Sequence, residues 1–168
     1  AEYHLQIDIP KDQLQAADAM LKQNKISNYI VVCPFTTRPQ KHWPASYWYE
    51  LIERIHTELN VSVIVLGASS DRAYAQRFSD IAPSVLNFAG QTNLLVSAAL
   101  IQNARLIIGV DTGMTHLATV FKRKTIALFG STVPYLDAKV DTTTIFYKSL
   151  SCSPCKRHPT CDGQYECM

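Results

Sequence analysis

Uninterrupted apolar runs are the sequence feature that most constrains the fold of this chain. Residues 29–33 (YIVVC) and 106–110 (LIIGV) contain no charged side chain. Such runs are typical of parallel strands that are covered on both faces. Elsewhere the apolar residues return at the spacing of an amphipathic helix. The clearest stripe follows Pro44 and consists of Trp48, Leu51, Ile52, Ile55 and Leu59.

Strand and helix patterns alternate along the chain. We predict strands at 29–33, 61–66, 84–87, 106–110, 125–129 and 144–147, preceded by a half-buried edge strand through Leu5, Ile7 and Ile9. Helices are predicted at 11–23, from Pro44 through the stripe, at 71–80, at 93–103 and from Met114 onward. This alternation with short connections predicts a doubly wound parallel α/β sheet. A length of 168 residues suits one domain with its own core.

Five polar loops follow predicted strands and should meet at one edge of the sheet, since ligands of open α/β sheets bind outside the carboxyl ends of the strands. The loops are 34–41, 67–71, 87–92, 111–116 and 130–134. They are rich in Thr, Ser, Gly, Lys, Arg, Asp and His. These groups suit phosphates and hydroxyls. The net charge is only +2 and the basic residues are scattered, so we expect no nucleic-acid partner.

The stretch 106–118 (LIIGVDTGMTHLA) predicts a buried strand, a tight turn and the first turn of a helix. The first N–H groups of a helix have no internal partner and favour an anion. Neither the G-x-G-x-x-G fingerprint after the first strand nor the P-loop motif is present. Phosphate binding must therefore depend on helix N-termini and isolated cations.

Lys41 is the main candidate cation, because its loop lies at the carboxyl end of a strand and its ammonium acts as a point charge. Arg38 is a second candidate. A solvated surface lysine is the alternative, but Thr36 and Thr37 precede Lys41 and favour a phosphate site.

The turn after residue 110 supplies the other candidates. Asp111 could cap the following helix by accepting from the N–H of Gly113 or Met114, could bind sugar hydroxyls, or could do both. Thr112 offers a hydroxyl, and Gly113 offers an unhindered backbone or only a tight turn. His116 could donate to a phosphate or a ribose hydroxyl, or could pack against the sheet.

Four motifs give the chain a family resemblance. VDTGMTHLA resembles the D-[ST]-G-x-x-H-[LI] signature of glycosyltransferase family nine, the lipopolysaccharide heptosyltransferases. TTRPQKHWPASYW resembles that family's loop before a Trp-Pro helix, with its lysine at Lys41. GQTNLLVSAALIQNARLIIGVDTG and GSTVP resemble two further family motifs. The four motifs keep the family's order and span nearly all of the chain.

The resemblance implies one half of a GT-B enzyme, in which two Rossmann-like domains face each other. Residues 1–150 would be the C-terminal, donor-binding domain, entered through a strand and helix at 2–23, and residues 151–168 a Cys-rich tail. The chain begins without Met and ends at Cys167–Met168, so we expect a fragment that lacks the acceptor-binding N-terminal half. The family's catalytic base lies in that half. We therefore expect the isolated domain to be inactive.

The implied reaction is inverting transfer of heptose from ADP-heptose to the lipopolysaccharide inner core. By resemblance it needs no cofactor and no divalent metal, and it takes place in the cytoplasm, with peripheral association at the inner membrane. Lys41, the N–H groups of Gly113 and Met114, and Thr36 or Thr37 would stabilise the leaving diphosphate. Asp111 would hold heptose hydroxyls, with Thr112 and His116 also on the donor. Further candidate donor contacts are Arg38, Asp71 (to ribose), Gln91 and Thr92.

Cys33 fits a small buried side chain, whereas Cys152, Cys155, Cys161 and Cys167 crowd into the tail. Four thiolates could hold a structural zinc ion, with His158 in reserve. A typical zinc ribbon has two C-x-x-C pairs and this tail has one. Disulfides are an alternative, and the resemblance implies a family trait. Two other functions stay open: a non-catalytic nucleotide-sugar-binding module and a zinc-dependent interaction module.

Overall fold

The computed structural model describes residues 7–134 and 141–168. These residues form one sheet of six parallel strands in the order β3-β2-β1-β4-β5-β6. The strands are β1 (Tyr29–Cys33), β2 (Ser62–Val65), β3 (Val85–Asn87), β4 (Leu106–Val110), β5 (Thr125–Phe129) and β6 (Thr143–Tyr147). The helices are α1 (Lys11–Gln23), α2 (Ala45–Arg54), α3 (Arg72–Ser79), α4 (Leu94–Asn103) and α5 (Gly113–Val120). The predicted doubly wound, Rossmann-like fold is confirmed.

The strand order reverses between β1 and β4, which lie side by side with Val32 opposite Ile108. All five residues of β1 are buried. The chain leaves β1 toward β2 on one side and returns to β4 on the other, so the connections after β1 and β4 run in opposite directions and leave a crevice between them. The predicted loops 34–41 and 111–116 line the two sides of this crevice.

Two apolar cores cover the two faces of the sheet. Ile30 and Val32 of β1 point into a core with Trp48, Ile52 and Phe78 of α2 and α3. The alternate β1 residues point into a second core with residues of α1, α4 and α5. Since successive side chains of a strand point to opposite faces, a strand between two such cores must be apolar throughout. Among the described residues, no helix is long and apolar enough to cross a membrane.

The helix from Pro44 differs from its prediction at its end. α2 stops at Arg54, and residues Ile55–Leu59 form a wider π-helical turn that ends at Asn60, whose φ is 50°. We predicted Leu59 as part of the apolar stripe, but its side chain is 58% exposed and does not belong to the buried face. A π-turn holds more residues than an α-turn and shifts the phase of the side chains that follow, which turns Leu59 toward solvent.

Smaller differences concern element ends. The predicted helix 71–80 begins with a 3-10 turn, Ser69–Asp71, and Asn93 caps α4 by accepting from the N–H of Val96 at 2.8 Å. Residues 1–6 of the predicted edge strand lie outside the described residues, and residues 7–10 form no strand. Residues 135–140, which follow the predicted loop 130–134, also lie outside them.

Gly109 is required where α5 packs on β4. A Cβ atom there would collide with Oγ1 of Thr115 and would lie 3.0 Å from Cβ of Cys33. Thr115 is fully buried and donates to the carbonyl of Val110 at 2.7 Å, so it has no room to yield. We expect Gly109→Ala to lower the free energy of unfolding by about 1–3 kcal/mol, the usual cost of overpacking. Urea unfolding measures this, and a loss under about 0.5 kcal/mol, typical of an uncrowded surface site, would contradict the packing described.

Candidate functional site

A cavity of ≈ 740 Å³ opens at the carboxyl ends of β1, β2 and β4. It lies at the reversal of strand order, where doubly wound sheets bind ligands. Ten of the residues predicted from the sequence line it: Thr36, Thr37, Lys41, Asp71, Thr92, Asp111, Thr112, Gly113, Met114 and His116. The structure therefore brings together residues that follow four different strands, and the first turn of α5.

Lys41 reaches this cavity from a short 3-10 turn, Pro39–Lys41, which follows β1. Pro39 suits the first position of such a turn because its missing N–H would be unpaired there. The Lys41 side chain is 19% exposed, and its Nζ lies 2.6 Å from Oδ2 of Asp111. The alternative of a freely solvated surface lysine does not describe this side chain.

Asp111 is the centre of the polar network. Its side chain is 10% exposed, and its carboxylate accepts hydrogen bonds from three side chains on three different segments. Oδ1 lies 2.9 Å from Nε2 of His116, and Oδ2 accepts from Nζ of Lys41 and Oγ1 of Thr132. An ionised carboxylate only accepts, so Nε2 of His116 carries the proton in this contact.

The hydrogen bonds to Asp111 also fix its charge. Burial alone would raise the pKa of Asp111, but the bonds from His116, Lys41 and Thr132 outweigh it and hold the pKa well below its usual range. Asp111 is therefore a permanent anion at neutral pH. Together with Lys41 it forms an ion pair at the mouth of the crevice.

The helix cap, one of the two roles that the sequence leaves open for Asp111, is not observed. Thr112 occupies the N-cap position, with extended backbone angles of φ −144° and ψ 159°, and its side chain makes no capping bond. Bonds that involve a charged partner are roughly twice as strong as neutral ones. Lys41 therefore outcompetes a backbone N–H for the carboxylate, and the first N–H groups of α5 face the cavity without a side-chain cap.

Gly113 begins α5 and lines the cavity, and a Cβ atom there would meet nothing within 4 Å. On the expectation from the family resemblance that an ADP-sugar binds here, Gly113→Ala should fold as the wild type does but weaken ADP binding roughly tenfold or more, the effect of one methyl group in a fitted site. The added methyl would occupy the space through which a phosphate approaches the backbone N–H. Calorimetric titration with ADP measures this. Unchanged ADP affinity would show that no ligand approaches this backbone.

Other predicted residues make contacts with residues close to them in the chain. Asp71 accepts from the N–H of Ala68 at 2.8 Å through Oδ2, and Thr92 pairs with Ser97 at 2.7 Å between their hydroxyl oxygens. Arg38 directly precedes the turn that carries Lys41, makes no side-chain capping bond and does not line the cavity. Gln91 lies outside the cavity as well and donates to the carbonyl of Asn87.

Two residues of the site were not singled out from the sequence. Thr132 lies in the loop after β5, one of the loops predicted to converge, and its contact with Asp111 requires the observed adjacency of β4 and β5. Cys33 lines the floor of the cavity. Burial raises the pKa of its thiol to about 12, so Cys33 stays protonated at neutral pH and is no nucleophile.

The Cys-rich tail does not form the zinc site that its four cysteines would allow. Within residues 7–134 and 141–168, no group of three His, Cys, Asp or Glu side chains is arranged to hold a metal ion. All five cysteines are free thiols, so the disulfide alternative is not realised either. Instead the tail packs on the domain: Cys167 and Met168 are each 6% exposed and belong to the core that contains Trp48.

Comparisons with known proteins identify the family of this chain. The model of glycosyltransferase family 9 (heptosyltransferase) matches residues 1–166. Lipopolysaccharide heptosyltransferase 1 of Pseudomonas aeruginosa is 34% identical over 161 residues, which cover 94% of this chain and 43% of that protein. The chain thus spans less than half the length of this relative.

Solved structures show the same fold. The E. coli heptosyltransferase WaaC with ADP-2-deoxy-2-fluoro heptose superposes with a TM-score of 0.65 at 27% identity, over 78% of this chain and 41% of that one. The family 9 glycosyl transferase of Veillonella parvula superposes with a TM-score of 0.77 over 87% of this chain and 43% of that one, and at 18% identity it supports the fold alone. Because the family model covers almost the whole chain, this protein belongs to glycosyltransferase family 9, the heptosyltransferases.

Proposed function

We propose that this chain is the C-terminal, donor-binding half of a heptosyltransferase and that it binds ADP-heptose in the cavity between β1 and β4. The observation that carries the proposal is the Lys41–Asp111–His116 cluster beside the uncapped start of α5. A cation and a helix N-terminus facing one cavity are suited to a diphosphate. The match to WaaC, solved with ADP-2-deoxy-2-fluoro heptose, supports the choice of donor.

In this proposal Lys41 stabilises the leaving group. The sugar–phosphate bond breaks and negative charge develops on the diphosphate. An ammonium has three N–H donors, and Asp111 takes one of them, so the others can reach phosphate oxygens. The N–H groups of Gly113 and Met114, with Thr36 or Thr37, complete a fixed set of donors around the developing charge. These groups supply the charge stabilisation that other enzymes obtain from a divalent cation.

Asp111 has two tasks in the same step. It holds Lys41 at 2.6 Å and so orients the ammonium toward the cavity. A carboxylate has about four acceptor sites, and His116, Lys41 and Thr132 occupy three of them. The remaining site can accept one hydroxyl of the heptose, which would fix the sugar relative to the diphosphate.

The adenosine end of the donor is assigned to the other end of the cavity. Gly67, Ala68 and Leu94 line this region, and Leu94 is 62% exposed. Asp71 holds its own turn through Oδ2, so we assign Oδ1 to a ribose hydroxyl. Thr92 lies on the same side of the cavity and is the second polar candidate there.

The acceptor and the catalytic base belong to the other half of the enzyme in this proposal. None of the cavity's carboxylates suits the base, because the three donors to Asp111 lower its pKa and make it a weak proton acceptor, and Asp71 is assigned to the ribose. We therefore expect the chain by itself to bind donor without transferring heptose. In the complete enzyme the acceptor would be the lipopolysaccharide inner core at the cytoplasmic face of the inner membrane.

Calorimetric titration of the purified protein with ADP-heptose, ADP and AMP tests this function. We expect saturable binding of ADP-heptose and ADP. We expect AMP to bind about 10- to 100-fold more weakly, because a hydrogen bond to a charged group is worth roughly 1.5–3 kcal/mol and AMP lacks the second phosphate. Equal binding of AMP and ADP, or none by a protein whose circular dichroism shows the α/β fold, would contradict the proposal.

A further inference from the structure

The main chain of Lys156, in the middle of the Cys-rich tail, joins two loops of the cavity. Its N–H donates to the carbonyl of Ser131 at 2.6 Å, and its carbonyl accepts from Nε2 of Gln40 at 3.0 Å. Gln40 is 4% exposed and Ser131 is fully buried, so both partners of Lys156 lie inside the domain although Lys156 itself is at the surface. The exposed Lys156 side chain is not used in either bond.

Each partner of Lys156 is the neighbour of a residue that touches Asp111. Gln40 directly precedes Lys41, and Ser131 directly precedes Thr132. Lys41 and Thr132 both donate to Oδ2 of Asp111. The contacts therefore close a ring that runs from Asp111 through one loop to the tail, and back through the other loop.

The end of the tail is also anchored to the domain. Nζ of Lys148, the residue directly after β6, donates to the carbonyl of Glu166 at 2.6 Å. A Cβ atom on Gly130 would lie 2.6 Å from Sδ of Met168 and 2.7 Å from Sγ of Cys167, so the end of the tail packs directly on the loop that holds Thr132. Lys156 has a φ of 57°, in the left-handed region. The segment is thus held in one defined geometry.

We propose that the tail positions the diphosphate-binding residues. The main chain of Lys156 is hydrogen-bonded to the Gln40 side chain and to the carbonyl of Ser131, and these two bonds hold the loops of Lys41 and Thr132 against Asp111. This inference rests on the proposed function of Lys41. Gln40 acts through Lys41 and is a positioning residue, not a catalytic one. The tail, which neither the zinc nor the disulfide prediction explains, thereby gains a role in donor binding.

Gln40→Met tests the hydrogen bond from the Gln40 side chain to the carbonyl of Lys156, since methionine keeps the length of the side chain and removes the donor. We expect ADP affinity in calorimetric titration to fall about 3- to 10-fold, the usual net effect of one buried hydrogen bond. Gln76→Met is the matched control. Gln76 lies on α3 and donates to Asp80 at 3.1 Å, outside the cavity, so ADP affinity should not change.

Lys156→Pro and Lys156→Gly test the hydrogen bond from the main-chain N–H of Lys156 to the carbonyl of Ser131, at a position whose side chain is exposed. Proline removes the N–H and cannot adopt a φ of 57°, whereas glycine keeps the N–H and adopts this φ without strain. We expect only the proline variant to lose ADP affinity. Equal losses in both variants would show that the lysine side chain acts and would overturn the inference.

A double-mutant cycle with Lys41→Met separates positioning from general destabilisation. We expect Gln40→Met to have no further effect on ADP affinity once Lys41 is gone, because the side chain that it positions is absent. The inference is overturned if Gln40→Met leaves ADP affinity within about twofold of the wild type, below the usual effect of one hydrogen bond, or lowers it equally in both backgrounds. Wild-type protein that does not bind ADP would instead overturn the proposed function and this inference with it.

Discussion

Lys41→Met should weaken ADP binding about 10- to 100-fold while leaving the fold intact. The ammonium pairs with Asp111 at 2.6 Å and faces the cavity, and a hydrogen bond between charged groups is worth roughly 1.5–3 kcal/mol. Methionine keeps the unbranched stem, so the packing of the loop changes little. Calorimetric titration with ADP gives the affinity, and thermal unfolding reports any change in stability.

Lys124→Met is the matched control for this prediction. Lys124 is exposed, lies next to the amino end of β5 and does not line the cavity. Lys124→Met removes the same charge from the protein as Lys41→Met, so any loss of ADP affinity shared by both variants reflects overall charge and not the site. An unchanged ADP affinity of Lys41→Met would mean that this ammonium does not contact the diphosphate.

Asp111→Asn should lower the stability of the fold at neutral pH. The carboxylate is 10% exposed and accepts from Lys41, His116 and Thr132. The asparagine amide carries no charge, and one of its two oxygens is replaced by an NH₂ group, which cannot accept a hydrogen bond. At least one of the donors Lys41, His116 and Thr132 then loses its acceptor. We expect a loss of about 1–3 kcal/mol, and each kcal/mol lowers the melting temperature by about 2–4 °C in a domain of this size. Thermal and urea unfolding at pH 7 measure both.

The same substitution predicts a pH dependence. The pKa of Asp111 is lower in the folded than in the unfolded state, so its contribution to stability is fully present above the unfolded value of about 3.9 and fades as the pH falls further. The stability difference between wild type and Asp111→Asn should therefore be constant from pH 7 to about 5 and shrink below about pH 4. Asp80→Asn, at an exposed position, serves as the control. A difference that persists undiminished into acid would contradict a carboxylate held ionised by its neighbours.

Periodicity was sufficient to predict most of the fold. Strands between two cores must be apolar throughout, so residues 29–33 and 106–110 could be located from the sequence within a residue of their observed bounds. The change from α to π turn after Arg54 was not visible, because Leu59 keeps the helical spacing of the stripe in sequence while the backbone turns it outward. The spacing of apolar residues predicts which side chains a regular α-helix would bury. It does not predict where the backbone changes from α-helical to π-helical turns.

The site was predicted in outline, since loops at the carboxyl ends of parallel strands converge by topology alone. What the sequence could not show was the competition for each side chain. Asp111 had a plausible helix cap two residues away, yet Lys41, from a loop 70 positions earlier in the chain, takes its carboxylate instead. The hydrogen bonds from Thr132 to Asp111 and from Gln40 to Lys156 also join residues far apart in the chain. They depend on side-chain positions that no local sequence pattern predicts.

A crystal structure of this protein with ADP tests the central claim most directly. We predict that the diphosphate lies between Nζ of Lys41 and the N–H groups of Gly113 and Met114, with the ribose toward Asp71. The ion pair between Lys41 and Asp111 should persist or lengthen only slightly. Well-defined ADP bound outside the crevice between β1 and β4, with its phosphates away from Lys41 and α5, would contradict the account.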